Sequence, residues 1–79
     1  MSKIAIIYNP NAGSGKIKKL LQIKERLSFN NSVTIFDTQK PGDATEIAKR
    51  ECKNFDIIVA AGGDGTINEV INGIHDDTR

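Results

Sequence analysis

A single cysteine, Cys52, allows the 79-residue chain no internal disulfide and no cysteine-built metal cluster. A reducing, cytoplasmic setting is the expectation that follows. Long hydrophobic runs are also missing. The apolar stretch from Ile4 to Tyr8 is too short for a signal-peptide core, and nothing approaches the ~18 residues of a membrane span. An excess of one charge is missing too: eleven basic residues face ten acidic ones, for a net charge of +1. That balance argues against a dedicated nucleic-acid-binding module, and no nucleic-acid partner is expected. Linkers, internal repeats and low-complexity tracts are absent. At this length one domain is the ceiling, and folding hides only about 60% of the unfolded surface.

What the chain does have is isoleucine, twelve of its 79 residues. Ile4-Ala5-Ile6-Ile7-Tyr8 and Asp56-Ile57-Ile58-Val59-Ala60-Ala61 are short, continuous apolar runs, which read as strands covered on both faces. Val33-Thr34-Ile35-Phe36-Asp37 is more mixed, as suits an edge strand. Helical spacing fills the intervals. Ile17, Leu20, Leu21, Lys24 and Leu27 form one stripe, with Lys24 its polar exception. Ala44, Ile47, Ala48 and Cys52 form a second; Ile67, Val70, Ile71 and Ile74 form a third. The order β-α-β-α-β-α predicts an α/β fold, a three-layer Rossmann-like parallel sheet with helices packed on it. Cys52 reads as a small core hydrophobe, and His75 as a surface residue in a polar tail.

Two loops at strand ends carry the chemistry. The first is Asn9-Pro10-Asn11-Ala12-Gly13-Ser14-Gly15-Lys16; the second is Gly62-Gly63-Asp64-Gly65-Thr66-Ile67-Asn68-Glu69. Neither is a Walker loop: Pro10 stands where G-x-x-x-x-G-K-S/T needs its first glycine, and Ile17 where it needs Ser or Thr. Nor is Gly13-Ser14-Gly15 a dinucleotide fingerprint, because Lys18 takes the third glycine position. The physical logic of a phosphate nest remains: glycines admit close backbone approach, and amides at a helix start attract anions. A carboxylate in such a nest repels phosphate, so Asp64 makes sense if Mg²⁺ or a hydroxyl lies between them. The bland alternative is turn shape alone. Thr66 and Glu69 have the T-x-x-E spacing of a capping box, and Asp43 suits the N-cap of the second helix. If both loops serve one ligand, their strands are neighbours, which predicts the strand order 2-1-3. The loop from Thr38 to Asp43 then borders the same cleft.

Gly62-Gly63-Asp64-Gly65-Thr66-Ile67-Asn68-Glu69-Val70, followed by Asn72-Gly73, resembles the nucleotide-binding signature of the diacylglycerol kinase catalytic domain. That family includes bacterial diacylglycerol kinases, YegS-like lipid kinases, sphingosine kinases and ceramide kinases. The opening Asn9-Pro10-Asn11-Ala12-Gly13 resembles the family's N-P-x-A/S-G loop, and Thr38 to Thr45 its middle element. The resemblance implies phosphoryl transfer from ATP to a lipid hydroxyl such as that of diacylglycerol, with Mg²⁺. It implies nucleotide contacts at Asn9, Pro10, Asn11, Ala12, Gly13 and Thr38. It implies phosphate contacts at Gly63, Asp64, Gly65, Thr66, Ile67, Asn68 and Glu69, with Asp64 near the metal. The family's chain continues into a further loop and a β-rich second domain that holds the lipid cleft. Residues 1–79 are therefore expected to be an N-terminal nucleotide-binding portion, inactive alone, and no general base is assigned. The G-G-D-G-T core is shared with NAD kinases and loosely with phosphofructokinases. A relative of those, or a non-catalytic nucleotide-binding module, is the alternative.

Two surface expectations complete the reading. Lys16, Lys18, Lys19, Lys24 and Arg26 crowd the first helix around Glu25. A solvated face is the commoner meaning, with peripheral contact to an anionic inner membrane face the alternative. In order 2-1-3 the third strand is an edge, yet it reads as an interior strand. A partner strand, from further sequence or a second copy, is expected there.

Overall fold

β-Branched residues fit a pleated, buried surface, and the apolar runs form strands where that patterning places them. The computed structural model describes residues 1–10 and 16–77. Its elements are β1 (Lys3–Tyr8), α1 (Lys16–Ser28), β2 (Ser32–Asp37), α2 (Asp43–Glu51), β3 (Ile57–Ala61) and α3 (Asp64–Asp77). The strands pair in parallel in the order β2-β1-β3, as expected. Ile6 stands opposite Ile35 on one side and Val59 on the other.

Alternation along β1 divides the core into two halves. Ile7 faces α2 and α3 with Ala44, Ile47, Ala48 and Val70. Ile4, Ile6 and Tyr8 face α1 with Leu20. The sheet is thus the middle of three layers. Ile6 and Ile7 are wholly buried, each contributing about 1.5–3 kcal/mol by burial. The end of the sheet opposite the glycine loops is tied by short polar contacts. Lys3 N donates to Asp56 Oδ2 at 2.8 Å, and Asp56 N to the Lys3 carbonyl at 2.7 Å. Phe55 meets Phe36 edge to face at 5.7 Å.

Four local expectations need correction. First, α3 begins at Asp64, so Thr66 lies inside the helix and caps nothing. The Gly63 carbonyl takes the first bonds instead, accepting from Thr66 N at 3.0 Å and Ile67 N at 3.2 Å. Second, Asp43 is not the N-cap of α2. Gly42 is, and no side chain bonds the helix start from that position. Asp43 turns its carboxylate backwards, accepting from Gln39 N at 2.7 Å and Lys40 N at 3.0 Å. Third, the stripes of α1 and α3 are only partly covered. Val70 is buried, whereas Ile71 is 57% exposed and Ile67 41% exposed. Leu21 is likewise exposed, while Lys24 is half-buried on the inward side of α1. Fourth, β3 is only half-covered, and Ile57 is 46% exposed. Cys52 is half-buried at the end of α2, its Sγ 3.7 Å from the Lys49 carbonyl. His75 is exposed, within α3.

Candidate functional site

Parallel strands deliver their following loops to one end of a sheet, and a central strand places its loop between two others. Here the ends of all three strands are laced together. Thr38 N donates to the Tyr8 carbonyl at 2.8 Å, and Asn9 N to the Ala61 carbonyl at 3.1 Å. The β1, β2 and β3 loops therefore meet. A cleft opens between them, lined by Asn9, Thr38, Lys40, Gly65, Thr66 and Glu69 among others. Thr38 and Thr66 are buried polar residues of this wall, 7% and 6% exposed. A broader, shallower depression on the outer face of α1, past Lys19, Ile23, Arg26 and Phe29, gathers no strand end and no helix start.

The sequence signature is brought together in part. Asn9, Thr38, Gly65, Thr66 and Glu69 share the cleft. Gly63 and Asp64 open α3 on the same side, and both are exposed. Helix geometry leaves the Asp64 and Gly65 amides without a carbonyl partner inside α3, next to the positive end of its dipole. Ile67 and Asn68 lie one turn further on with exposed side chains, and Pro10 is exposed at the end of the first loop's described part. Asn11, Ala12 and Gly13 lie outside the described residues.

The glycines separate by what surrounds them. Gly62 is demanded by the fold, because a Cβ there would lie 2.6 Å from Thr66 Oγ1. Gly42 is demanded by its backbone, at φ 92°. Gly63 and Gly65 answer neither need. Their φ is not in the left-handed range, and a Cβ at either would meet nothing within 4 Å. Inside a helix, as at Gly65, glycine costs about 1 kcal/mol relative to alanine, and neither packing nor a left-handed φ calls for it there.

Sequence reasoning placed the loop from Thr38 to Asp43 beside the cleft but missed the bonds that tie Gly42 and Thr45 to Glu69. Glu69 Oε1 accepts from Gly42 N at 3.1 Å, and Thr45 Oγ1 donates to the Glu69 carbonyl at 2.9 Å. Gly42 stood in the sequence as a turn residue with nothing to mark its αL geometry. The one clear pKa displacement among the described carboxyls lies at the other end of α2. There the Glu51 carboxyl is held below its ordinary value, by the Arg50 hydrogen bond first and the Asn54 bond next. It marks a surface pair, not the cleft.

Three comparisons bear on this arrangement. The family model described as "Diacylglycerol kinase catalytic domain" matches residues 3–79. The chain is similar to a diacylglycerol kinase of Staphylococcus saprophyticus, 50% identical over 74 residues, covering 87% of this chain and 24% of that protein. It is similar to a diacylglycerol kinase of Bacillus subtilis, 46% identical over 79 residues, covering 94% of this chain and 25% of that protein. Among solved structures, a diacylglycerol kinase from Bacillus anthracis superposes with a TM-score of 0.79 at 36% identity, covering 90% of this chain and 27% of that one. The chain thus spans about a quarter of the length of these relatives.

Proposed function

Because the chain belongs to the diacylglycerol kinase catalytic domain family, we propose that residues 1–79 are the nucleotide-binding part of an ATP-dependent lipid kinase. The observation that carries the reading is the pair Gly63 and Gly65, glycines that neither backbone strain nor internal packing requires. A polyphosphate laid against the start of α3 would use the space they leave. The Asp64 and Gly65 amides would face its oxygens, and Asn9, Pro10 and the buried Thr38 and Thr66 hydroxyls would border the rest. Phosphoryl transfer asks mainly for such positioning and charge neutralisation.

Asp64 would supply one carboxylate to Mg²⁺. Among the described residues no group of three or more His, Cys, Asp or Glu gathers to hold a metal. A single carboxylate at the mouth still suits Mg²⁺, which keeps several waters and is held mostly by substrate phosphates. The acceptor is a lipid hydroxyl, diacylglycerol by the relatives' names, bound by parts of such proteins that lie beyond the matched quarter. No helix among the described residues is long and apolar enough to cross a membrane. A peripheral contact of this part with the bilayer is suited by the exposed Lys18, Lys19 and Arg26 on α1, with Ile23 and, just after the helix, Phe29. The half-covered edge of β3 suits a further strand, from the same protein or a second copy.

The test is transfer of the γ-phosphoryl from labelled ATP to diacylglycerol by the protein carrying this chain, with Asp64→Ala beside it. The reading expects transfer that needs Mg²⁺ and is lost in the variant. Transfer to a soluble acceptor such as a dinucleotide instead would point to the NAD kinase side. Full activity in Asp64→Ala would remove the metal role from that residue.

A further inference from the structure

We propose that Glu69 is a positioning residue: its carboxylate caps α2 from across the α2–α3 seam and so holds the β2–α2 loop in the shape that forms one wall of the nucleotide cleft. The inference deepens the function proposed above and rests on it. In a capping box the third residue of a helix reaches back to the N–H of its own N-cap. In α2 that third residue is Thr45, which is too short and carries no carboxylate. The missing bond arrives from α3. Gly42, the N-cap, donates its N–H to Glu69 Oε1 at 3.1 Å, and Thr45 Oγ1 donates to the Glu69 carbonyl at 2.9 Å. Of the T-x-x-E spacing that suggested a cap within one helix, only Glu69 acts as a cap, and it caps the other helix.

The loop is held at both ends and from within. Thr38 N is fixed to the Tyr8 carbonyl at its start, and Gly42 N to Glu69 at its close. Between them the Asp43 carboxylate collects Gln39 N and Lys40 N. A loop set in this way loses little freedom when a ligand arrives, which is how preorganisation raises affinity. Charge supports the same role. A carboxylate aimed at a polyphosphate would repel it, whereas one set at the start of α2 is stabilised by the Gly42 amide and the helix dipole. Gly73 keeps the two helices close enough for this contact, since a Cβ there would lie 2.3 Å from the Thr45 carbonyl.

The experiment measures ATP KM and kcat in the protein carrying this chain, and amide exchange at Gly42. Glu69→Ala is expected to raise the nucleotide KM about tenfold with kcat within about threefold, and to speed Gly42 exchange about tenfold, as loss of one hydrogen bond to a charged acceptor implies. Glu69→Gln keeps an acceptor oxygen and is expected to recover most of both losses. Gly42→Ala strains the φ of 92° and is expected to raise KM by the other route. Glu69→Gln as damaging as Glu69→Ala would overturn the proposal, since the charge itself would then act on the ligand or metal. Unchanged Gly42 exchange in Glu69→Ala would overturn it as well. If the wild-type protein bound no ATP, the nucleotide reading would fall, and the Gly42 exchange would still decide whether the cap exists.

Discussion

At Gly73 an added Cβ would lie 2.3 Å from the Thr45 carbonyl oxygen and 2.8 Å from Ala48 Cβ; at Gly63 and Gly65 it would meet nothing within 4 Å. All three positions belong to α3 or its entry. At the α2–α3 seam, glycine lets two helices approach until backbone nears backbone. At the mouth of the cleft, glycine leaves a space that the chain does not fill. One serves the packing of the fold and the other is read above as serving a ligand, and sequence alone gives both the same letter. Substitution to alanine pulls them apart, because it adds the same methyl group to each.

Gly73→Ala is expected to have the largest effect. Its new methyl group collides with α2 backbone, which cannot rotate away. A loss of about 2–3 kcal/mol is expected, net of the better helix propensity of alanine, read as a lower urea midpoint with unchanged slope. Gly62→Ala comes next. The new methyl group meets Thr66 Oγ1 at 2.6 Å and Cβ at 2.9 Å. A side chain yields more readily than backbone, so about 1–2 kcal/mol is expected, and Thr66→Ala in the same chain should return part of it. A native-like urea midpoint for Gly73→Ala would show that the helices separate cheaply, and the contrast would collapse.

Gly65→Ala reverses the sign. With open space around it and no left-handed φ, alanine in the first turn of α3 is expected to stabilise the fold by about 0.5–1 kcal/mol. ATP affinity should fall at the same time, because the methyl group occupies the proposed phosphate space. A variant that is both more stable and weaker in binding is hard to explain by turn shape alone. A destabilised Gly65→Ala would mean that the glycine serves the fold after all.

These glycines also show how far the sequence could be read. The strands were legible, since Ile4–Tyr8 and the run before Ala61 have no other economical reading. The order β2-β1-β3 followed from requiring two glycine loops to share a ligand, and it is the order found. Helix starts and faces were less legible. Thr66 and Glu69 carry a capping spacing, but that spacing also places two residues on one side of a helix, and that side meets the β2–α2 loop. The stripe Ile67, Val70, Ile71 and Ile74 contains two overlapping faces. α3 turns Val70 and Ile74 inward with Gly73, leaving Ile67 and Ile71 outside. Periodicity gives the width of an apolar stripe; only the neighbouring helix decides which part of it is covered. For the cleft, the start of α3 was legible from its glycines and the loop after Thr38 from the strand order, whereas Asn9 and Thr38 became candidates through the family resemblance. The Gly42–Glu69 bond was not, because it joins residues 27 apart.

The smallest expected change in stability lies on the exposed edge. Ile57 opens β3 at 46% exposure, and Ile67 and Ile71 are exposed on α3. Replacing Ile57 by Lys removes little buried surface, so stability should change by no more than about 0.5 kcal/mol. Association should respond much more. A parallel strand with one unpaired side is a template for another strand, and a lysine on it is a common guard against such pairing. Sedimentation of the 79-residue chain is therefore expected to show concentration-dependent self-association that Ile57→Lys weakens. A wild-type chain that stays monomeric at high concentration would show that the edge guards itself, and the exposed apolar residues would then have to be explained without a partner strand.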